Sequence, residues 1–332
     1  MMVENYIKTK IIKDMNKNEY VPAKIPTIYF IGVTTSKSSI MQVFPEWANY
    51  LKLGECRIKG IDFLQHDDPD KYKEAVDFIK KDKLSLGALV TTHKIDLLKA
   101  CKDKFEKLDE FAQLMEEISC ISKQGGKLYG HAKDPITSGL SLEAIIPKNY
   151  WKDTGAEVLI LGAGGSSIAL TWYIMTKTNV SNRPSKIYVT NRSLPRLEEM
   201  KMIHKQLKTD IEVEYFLSPS TEINDQVLSR MKPGSLVINA TGLGKDGPGS
   251  PLSNNCVFPV NGIAWDFNYR GDLIFLDQAR AQAKKRNLTI EDGWIYFIHG
   301  WTRVIAEVFH IDIPTEGKVL NALSSIAAKV RK

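Results

Sequence analysis

Residues 158–175 read VLILGAGGSSIALTWYIM, an apolar run followed by a glycine-rich turn and a helical stretch. This order predicts a strand that enters a tight turn and then a helix, the first unit of a dinucleotide-binding α/β fold. Gly162 permits the turn, and Gly164 lets the backbone approach a pyrophosphate in front of the free amides at the helix N-terminus. A tight turn that binds no ligand is the alternative interpretation.

A second apolar run, Ile187–Val189, ends in Asn191-Arg192-Ser193, where an NAD site normally has an acid that binds the ribose hydroxyls. Here Arg192 is followed one turn later by Arg196. No acidic residue lies between Asn191 and Glu198. Guanidinium groups bind a 2′-phosphate, which a carboxylate would repel. The sequence therefore predicts an NADP site.

The composition indicates an ordinary globular chain. Its 332 residues suffice for two domains, and the hydrophobic (43%) and charged (25%) fractions are average. No apolar run approaches the ~20 residues of a membrane span, and residues 1–20 lack the apolar core of a secretory signal. The four cysteines form no CxxC pair, which indicates reduced thiols of a cytoplasmic protein. The six histidines show no metal-binding spacing, so no metal site is expected.

The net charge of +6 is spread over clusters that acidic residues interrupt. Such clusters are typical of solvated helix surfaces, and no aromatic residues alternate with them as in nucleic-acid-binding surfaces. We therefore expect a small-molecule ligand, and neither nucleic acid nor a membrane as a partner. The sequence leaves open whether the protein forms a homodimer.

Apolar strand-like runs alternate with amphipathic stretches along the chain, which predicts an α/β protein with mainly parallel sheets. We expect a hairpin around Gly125-Gly126, one helix over Asp272–Arg286, a domain boundary near residues 140–155, and last helices that return to the first domain. The expected strands are Thr27–Val33, Gly60–Leu64, Leu86–Thr91, Glu157–Leu161, Lys186–Thr190, Glu212–Phe216, Ser235–Asn239 and Gly262–Phe267.

Lys94 and Asp134 are the candidate catalytic residues. Lys94 follows the predicted strand that ends at Thr91, and Asp134 follows the predicted hairpin. Strand ends are favoured sites for chemistry in α/β folds, and hydride transfer to a carbonyl needs a group that delivers a proton to its oxygen. A lysine that faces an aspartate across a cleft would be such a proton-delivering group. A surface ion pair, or two residues that do not touch, is the alternative.

From about Tyr29 to Pro314 the order of motifs resembles the shikimate dehydrogenase family. The motifs that carry the resemblance are the glycine turn, Asn191-Arg192-Ser193 with Arg196, Asn239-Ala240-Thr241, Asp266-Phe267-Asn268-Tyr269, the pair Ser36 and Ser38, and Lys94 with Asp134. The resemblance implies an N-terminal α/β substrate domain at residues 1–145 and a C-terminal doubly wound Rossmann NADP-binding domain at residues 146–295, with residues 296–332 packing back on the first.

The resemblance also implies the reversible, NADPH-dependent reduction of 3-dehydroshikimate, with Lys94, polarised by Asp134, handling the proton. The implied substrate-binding residues are Ser36, Ser38, Thr91, Ser122 and Tyr269, the serines holding the ring carboxylate. The implied cofactor-binding residues are Gly162, Ala163, Gly164, Gly165, Ser166, Ser167, Asn191, Arg192, Ser193, Arg196, Asn239, Ala240, Thr241 and Gly242.

Departures from the family pattern concentrate on the substrate side. The family's Asn-Thr-Asp is Ala132-Lys133-Asp134, a hydroxyl-binding Asn aligns with Ser122, and a late-helix Gln falls near Gly300 or Trp301. Each lost hydrogen bond would cost roughly 1–3 kcal/mol. A related cyclic hydroxy acid, such as quinate or an amino- or deoxy-analogue, is therefore an open alternative to shikimate.

Two further questions stay open from the sequence. Lys123, His131 and Lys133 would either meet an extra anionic group, such as a phosphate, or face solvent. One alternative to a dehydrogenase is a non-catalytic NADP-binding sensor or regulatory protein, although the retention of both Lys94 and Asp134 argues against it. Another alternative is an enzyme that acts on a larger precursor.

Overall fold

The structure, a computed structural model, describes residues 20–177, 179–245 and 247–331. The prediction that no secretory signal is present rests on residues 1–20 and so lies, but for one residue, outside the described residues. Within them the chain forms two six-stranded sheets. The strands are β1 Thr27–Gly32, β2 Arg57–Asp62, β3 Ser85–Val90, β4 Phe105–Leu108, β5 Cys120–Gln124, β6 Lys127–His131, β7 Val158–Leu161, β8 Lys186–Asn191, β9 Glu212–Leu217, β10 Leu236–Asn239, β11 Ile263–Asp266 and β12 Thr289–Glu291.

Helices connect most of the strands. Among the described residues no helix is both long and apolar enough to cross a membrane. The α-helices are α1 Ile40–Tyr50, α2 Pro69–Lys81, α3 Lys94–Cys101, α4 Glu110–Met115, α5 Asp134–Ile145, α6 Tyr150–Thr154, α7 Gly165–Thr176, α8 Leu194–Lys205, α9 Thr221–Leu228, α10 Ile274–Arg280, α11 Ala283–Arg286, α12 Trp294–Phe309 and α13 Gly317–Ala328.

The first sheet has the order β2-β1-β3-β5-β6-β4. Strands β1, β2 and β3 are parallel, whereas β5 runs antiparallel to both β3 and β6, so the predicted hairpin is confirmed. Every residue of β1 is buried, because apolar clusters cover both faces of the sheet. One cluster includes residues of α2 and α3, and the other includes residues of α1, α12 and α13. The Trp47 Nε1 group donates to the Leu323 carbonyl at 2.8 Å and attaches the last helix to the first.

The second sheet is entirely parallel, with the order β12-β11-β10-β7-β8-β9. This is the doubly wound order, in which the chain winds outward in both directions from the neighbouring strands β7 and β10. All four residues of β7 are buried, as expected for a central strand with both faces covered. In such folds ligands bind at the carboxyl ends of the strands where the winding direction changes. Here that place follows Leu161 and Asn239.

A close helix contact joins the two halves. Helix α5 of the first half packs on α7 of the second, and a Cβ at Gly139 would lie 2.3 Å from the Tyr173 ring. A side chain larger than glycine would therefore force the Tyr173 ring, or the helix that carries it, to move. The residue number at which one domain ends, which the sequence places at 145/146, stays a prediction.

The α/β class and the doubly wound second half are confirmed, but some predicted details are wrong. The single helix expected over Asp272–Arg286 is divided into α10 and α11. At the division the Gln282 amide donates to the Cys256 carbonyl and accepts from the Phe258 N–H, which holds the loop before β11. Elements β4, α4, α6 and β12 were not predicted, because segments of 3–6 residues are too short to show a periodicity.

Candidate active site

A cleft of about 550 Å³ separates the two halves of the molecule at the carboxyl ends of their central strands. Residues after β1, β3 and β6 form one wall, and the turns after β7, β10 and β11 form the other. Parallel strands direct their carboxyl ends to the same edge of a sheet, so each half contributes the edge at which α/β folds bind ligands. The cleft is therefore the place where the predicted site residues can meet.

Lys94 and Asp134 form an ion pair in this cleft. Lys94 is the first residue of α3, and Asp134 is the first residue of α5, where Pro135 suits the first helical turn. Their side chains are only 17% and 11% exposed. Burial alone disfavours the Lys94 ammonium, but the Asp134 and Glu117 carboxylates outweigh it and raise the pKa of Lys94. The structure thus brings the two predicted residues together, with the lysine charged.

Glu117 is a third ionisable residue of the cleft, which the sequence analysis missed. It lies in the segment between α4 and β5, is 2% exposed, and its Oε1 atom has no hydrogen-bond partner among the described residues. Burial raises the pKa of this carboxyl to about 7, against the opposing effect of the Lys94 ammonium. No motif signals this residue, because its significance comes from what the fold places around it.

One of the two predicted serines lines the cleft. Ser38 is buried, lines the cleft, and its Oγ lies 3.4 Å from Tyr269 Oη. Ser36 is exposed on the short 3-10 helix Thr35–Lys37 and is not among the residues that line the cleft, so the structure does not support its pairing with Ser38. Arg270, adjacent to Tyr269, also lines the cleft and donates to the Lys37 carbonyl at 3.4 Å.

The predicted substrate-binding residue Ser122 also lies outside the lining of the cleft. Ser122 lies in the middle of β5, where its Oγ contacts His131 Nε2 at 2.9 Å, and it is not among the cleft-lining residues. Because β5 runs antiparallel to β3, its beginning and not its middle reaches the cleft. Ser119 lies there, where its carbonyl accepts from the Val90 N–H at 2.8 Å and its Oγ accepts from the Lys133 backbone N–H at 2.8 Å. The serine of this segment that lines the cleft is therefore Ser119 and not Ser122.

Of the three basic residues near the hairpin, only Lys133 lines the cleft, where Glu307 holds its ammonium at 2.8 Å. His131 lies between Asp109 and Glu307, at 3.5 and 3.3 Å. Lys123 donates to the Ile79 carbonyl at 2.9 Å, and so supports the C-terminus of α2. His131 and Lys123 therefore neither meet a ligand in the cleft nor simply face solvent.

The glycine turn has the conformation that the sequence predicts. Gly162 has φ +110°, and a Cβ there would lie 2.8 Å from the Ala240 carbonyl, so the turn after β7 and the turn after β10 pack closely. At Gly164, by contrast, a Cβ would meet no atom of the described residues within 4 Å. Helix α7 begins here without a side-chain cap, which leaves its first amides available for an anion.

A groove of about 490 Å³ continues from the glycine turn along the ends of β8 and β9. Arg192, Ser193 and Arg196 line it, and Arg196 also reaches the main cleft. Arg192 is exposed and forms no ion pair within the described ranges, whereas Arg196 pairs with Glu199 at 2.7 Å. The donors of a turn and two guanidinium groups along one groove fit a dinucleotide with a phosphorylated ribose.

Three predicted cofactor residues are placed to support the site, and of these only Asn191 also lines the groove. The Asn191 side chain accepts from Ala163 N at 3.2 Å and so braces the glycine turn. Asn239 is fully buried and bonds Asp266 and Thr241, while Ser167 is fully buried inside α7. The remaining predicted residues line the cleft or the groove: Gly162, Ala163, Gly164, Gly165, Ser166, Arg192, Ser193, Arg196, Ala240, Thr241 and Gly242.

We expect Glu117→Gln to stabilise the ligand-free protein at pH 8 more than at pH 5. The carboxyl pKa is about 7 in the folded state against 4.5 ordinarily, so folding favours its protonated form. This contribution to stability is present below pH 4.5 and is lost as the pH rises towards 7, whereas glutamine does not titrate. The free energy of unfolding of Glu117→Gln, relative to that of the wild type, should therefore increase by about 2–3 kcal/mol between pH 5 and pH 8, as measured by urea unfolding. An equal effect at both pH values, or the same behaviour in the exposed neighbour control Glu116→Gln, would contradict it.

Together the fold and the cleft define a two-domain α/β protein whose second half is of the Rossmann type. No group of three or more potential metal ligands occurs in the part of the chain that the structure describes. Shikimate dehydrogenases share this architecture, and relatives of that name confirm the resemblance inferred from the sequence. No protein-family model matches the chain.

The relatives are similar over much of the chain at modest identity. Shikimate dehydrogenase (NADP(+)) of Acinetobacter baumannii is 28% identical over 188 residues, 56% of this chain and 62% of that enzyme. The same enzyme of Nitrosopumilus maritimus is 24% identical over 241 residues, 73% of this chain and 79% of its own length. The match to the first of these thus spans about three fifths of the relative.

Solved structures show the same fold over nearly the whole chain. Shikimate dehydrogenase from Aquifex aeolicus gives a TM-score of 0.69 at 18% identity and covers 94% of this chain and 99% of that one. The Thermus thermophilus enzyme in complex with NADP(H) and shikimate gives 0.67 at 18%, with coverages of 92% and 100%. The 5-ketofructose reductase of a Gluconobacter strain gives 0.62 at 17%, with 92% and 99%. At these identities the likeness concerns the fold.

Proposed function

We propose that the protein is an NADP-dependent dehydrogenase of shikimate type, which reversibly reduces a ring ketone, either 3-dehydroshikimate or the ketone of a related cyclic hydroxy acid. The observation that carries the proposal is the buried ion pair of Lys94 and Asp134, which lies in one cleft with the glycine turn at Gly164. An exposed ion pair would have no such implication, because a surface pair has no access to a ligand held between two domains.

NADP is the cofactor that the groove suits best. The amides of the turn would hold the diphosphate, and the guanidinium of Arg192 would hold the 2′-phosphate. When bound, the nicotinamide would supply or accept the hydride, a chemistry that no side chain offers. Thr241 lines both the groove and the cleft, and Gly242 lines the cleft, so the turn after β10 is placed to direct a dinucleotide towards Lys94.

The role of Lys94 follows from its charge. Its raised pKa keeps the ammonium protonated, so it can donate a hydrogen bond to the substrate carbonyl and then a proton to the oxygen that becomes the hydroxyl. In the opposite direction the same amine accepts the proton. Asp134 fixes the direction of the Nζ atom and compensates its charge in the buried cleft. Burial of both groups also limits access of water to the reacting atoms.

The lining of the cleft bears on the substrate. Ser38, Tyr269 and Arg270 provide donors at one end, which suits a carboxylate. Phe30 and Trp301 meet edge to face at 5.1 Å and add an apolar surface against which a ring can lie. A Cβ at Gly300 would meet no described atom within 4 Å, so space is open where the family pattern has glutamine. A cyclic acid with substituents other than those of shikimate fits this arrangement.

The direct test is the absorbance of NADPH in mixtures of the purified protein with ring substrates. Shikimate and quinate would be supplied with NADP⁺, and 3-dehydroshikimate with NADPH, each at several concentrations. We expect turnover with at least one cyclic hydroxy acid and a clear preference for NADP over NAD. Tight NADPH binding without turnover on any of them would favour the alternative, a non-catalytic NADP-binding protein.

We expect Ser38→Ala to raise the KM for the cyclic acid about 10- to 100-fold and to leave the KM for NADPH unchanged. A hydrogen bond to a charged group contributes roughly 1.5–3 kcal/mol, and Ser38 lies on the wall opposite the glycine turn. Steady-state kinetics with both substrates varied measures it. Ser36→Ala is the matched control, since Ser36 is exposed. Equal effects of the two substitutions would support the hypothesis that Ser36 and Ser38 together hold the carboxylate, and would refute the assignment to Ser38 alone.

A further inference from the structure

Glu117 reaches across the cleft to the turn that would hold a dinucleotide. It belongs to the first half of the molecule, yet its Oε2 would lie 2.4 Å from a Cβ at Gly165, the first residue of α7. Gly165 and Gly164 form the anion-binding end of that helix, and both line the cleft with Glu117. A carboxyl group therefore stands where a diphosphate would bring its own negative charge.

The surroundings do not neutralise this carboxyl fully. Its Oε1 atom is buried, and no residue in the described parts of the chain forms a hydrogen bond with it. Two cations lower the pKa of Glu117, but Lys94 is already paired with Asp134, and Arg196 is already paired with Glu199. The titratable or charged groups that act on Glu117 come from four helices: Lys94 of α3, Asp134 of α5, Arg196 and Glu199 of α8, and Tyr296 of α12.

A second anion at this place would be costly in a buried setting, because like charges at short range repel strongly where water is excluded. A protonated carboxyl avoids the repulsion, and its O–H becomes a donor that a phosphate oxygen can accept. No described residue forms a hydrogen bond with Oε1, so this atom would be available to such a ligand.

We propose that Glu117 is a dinucleotide-binding residue that takes up one proton from solvent when the diphosphate docks on the α7 N-terminus, and then donates its O–H to the bound molecule. The inference rests on the proposed function, since it needs a dinucleotide in the cleft. The free carboxyl has a pKa of about 7, so the ligand-free protein holds both forms near neutral pH. Binding of the dinucleotide is then weaker at pH values at which the free carboxyl is ionised, because the proton must first be taken up.

The experiment measures the Kd of NADPH by its fluorescence between pH 6 and pH 8.5 for the wild type and Glu117→Gln, which imitates the protonated acid. For the wild type we expect Kd to rise about 30-fold over this range, the factor that follows from a free pKa of about 7. For Glu117→Gln we expect a nearly flat profile. The 2′-phosphate ionises near pH 6 in both proteins, so its effect cancels in their ratio.

Two further measurements sharpen the result. Calorimetric titration at pH 8.5 in buffers of different ionisation enthalpy should show uptake of nearly one proton by the wild type and none by Glu117→Gln. Glu116→Gln, a change of the exposed neighbouring glutamate, should behave as the wild type. Glu117→Ala serves as the second variant if the glutamine protein is unstable, and should likewise lose the pH dependence.

Parallel pH profiles in the wild type and both Glu117 variants would overturn the inference while leaving the proposed function intact. Weaker binding by Glu117→Gln than by the wild type at pH 8.5 would do the same, because it would show that the charged form helps. Failure of every protein to bind NADPH at any pH would instead refute the proposed function, and this inference with it.

Discussion

Replacement of Lys94 by alanine is expected to lower kcat at least 100-fold and to leave the Kd of NADPH within twofold of the wild type. Proton transfer by a positioned side chain accelerates reactions by about 10²–10⁴-fold. The Lys94 ammonium is held by Asp134 in the cleft and lies on the wall opposite the glycine turn, so its loss removes the proton donor without touching the groove. Single-turnover oxidation of NADPH, measured with the Kd, separates the two effects.

The control for this substitution is Lys99→Ala. Lys99 is an exposed lysine near the end of the same helix, so its removal changes the charge of α3 equally and leaves the cleft alone. Because Lys94→Ala leaves the buried Asp134 without its partner, the circular dichroism and NADPH binding of the variant establish that it folds. A kcat within severalfold of the wild type would refute the catalytic assignment.

Replacement of Arg192 by alanine is expected to raise the Kd of NADP about 10- to 100-fold and that of NAD by less than twofold. A charge-assisted bond between a guanidinium and a phosphate contributes roughly 1.5–3 kcal/mol, and only NADP carries the 2′-phosphate. Arg192 lines the groove and forms no ion pair in the part of the chain that the structure describes, so no internal partner must be displaced. Fluorescence titration with both reduced cofactors measures the ratio.

Arg280→Ala provides the matched loss of a cation in the same half of the molecule. Arg280 is exposed on α10, pairs with Asp277 at 2.7 Å, and does not line the groove. It should leave both affinities unchanged. An equal loss for NADP and NAD in Arg192→Ala would show that Arg192 does not meet the 2′-phosphate, and Arg196 would then be the next residue to test.

The features that could be predicted are those for which neighbouring residues carry the signal. Residues 158–175 predicted β7, its turn and α7, because a buried strand, a glycine at φ +110° and a helix start each depend on local sequence. The site residues nearest to strand ends, Lys94 and Asp134, were found for the same reason. The spacing alone left open whether these two residues are in contact, and the resemblance to the family favoured the pair.

The sequence did not decide which side chains reach the cleft where that depends on distant strands. Ser122 and Ser119 are three residues apart on one segment, and only the antiparallel register of β5 on β3 decides which of them reaches the cleft. Ser36 and Ser38 differ in the same way, since the short 3-10 helix turns one outward and buries the other. Glu117 had no sequence signal at all.

The sequence by itself determined the class of fold, the position of the glycine turn and the two candidate catalytic residues, because these depend on apolar runs, glycines and polar residues that are neighbours in the chain. Only the tertiary structure decided which polar residues share the cleft. It buried Glu117 beside Lys94 and against Gly165, and so gave an ordinary glutamate a pKa of about 7. The physical reason is that burial and charge proximity are properties of the packed chain, which residues far apart in sequence create together.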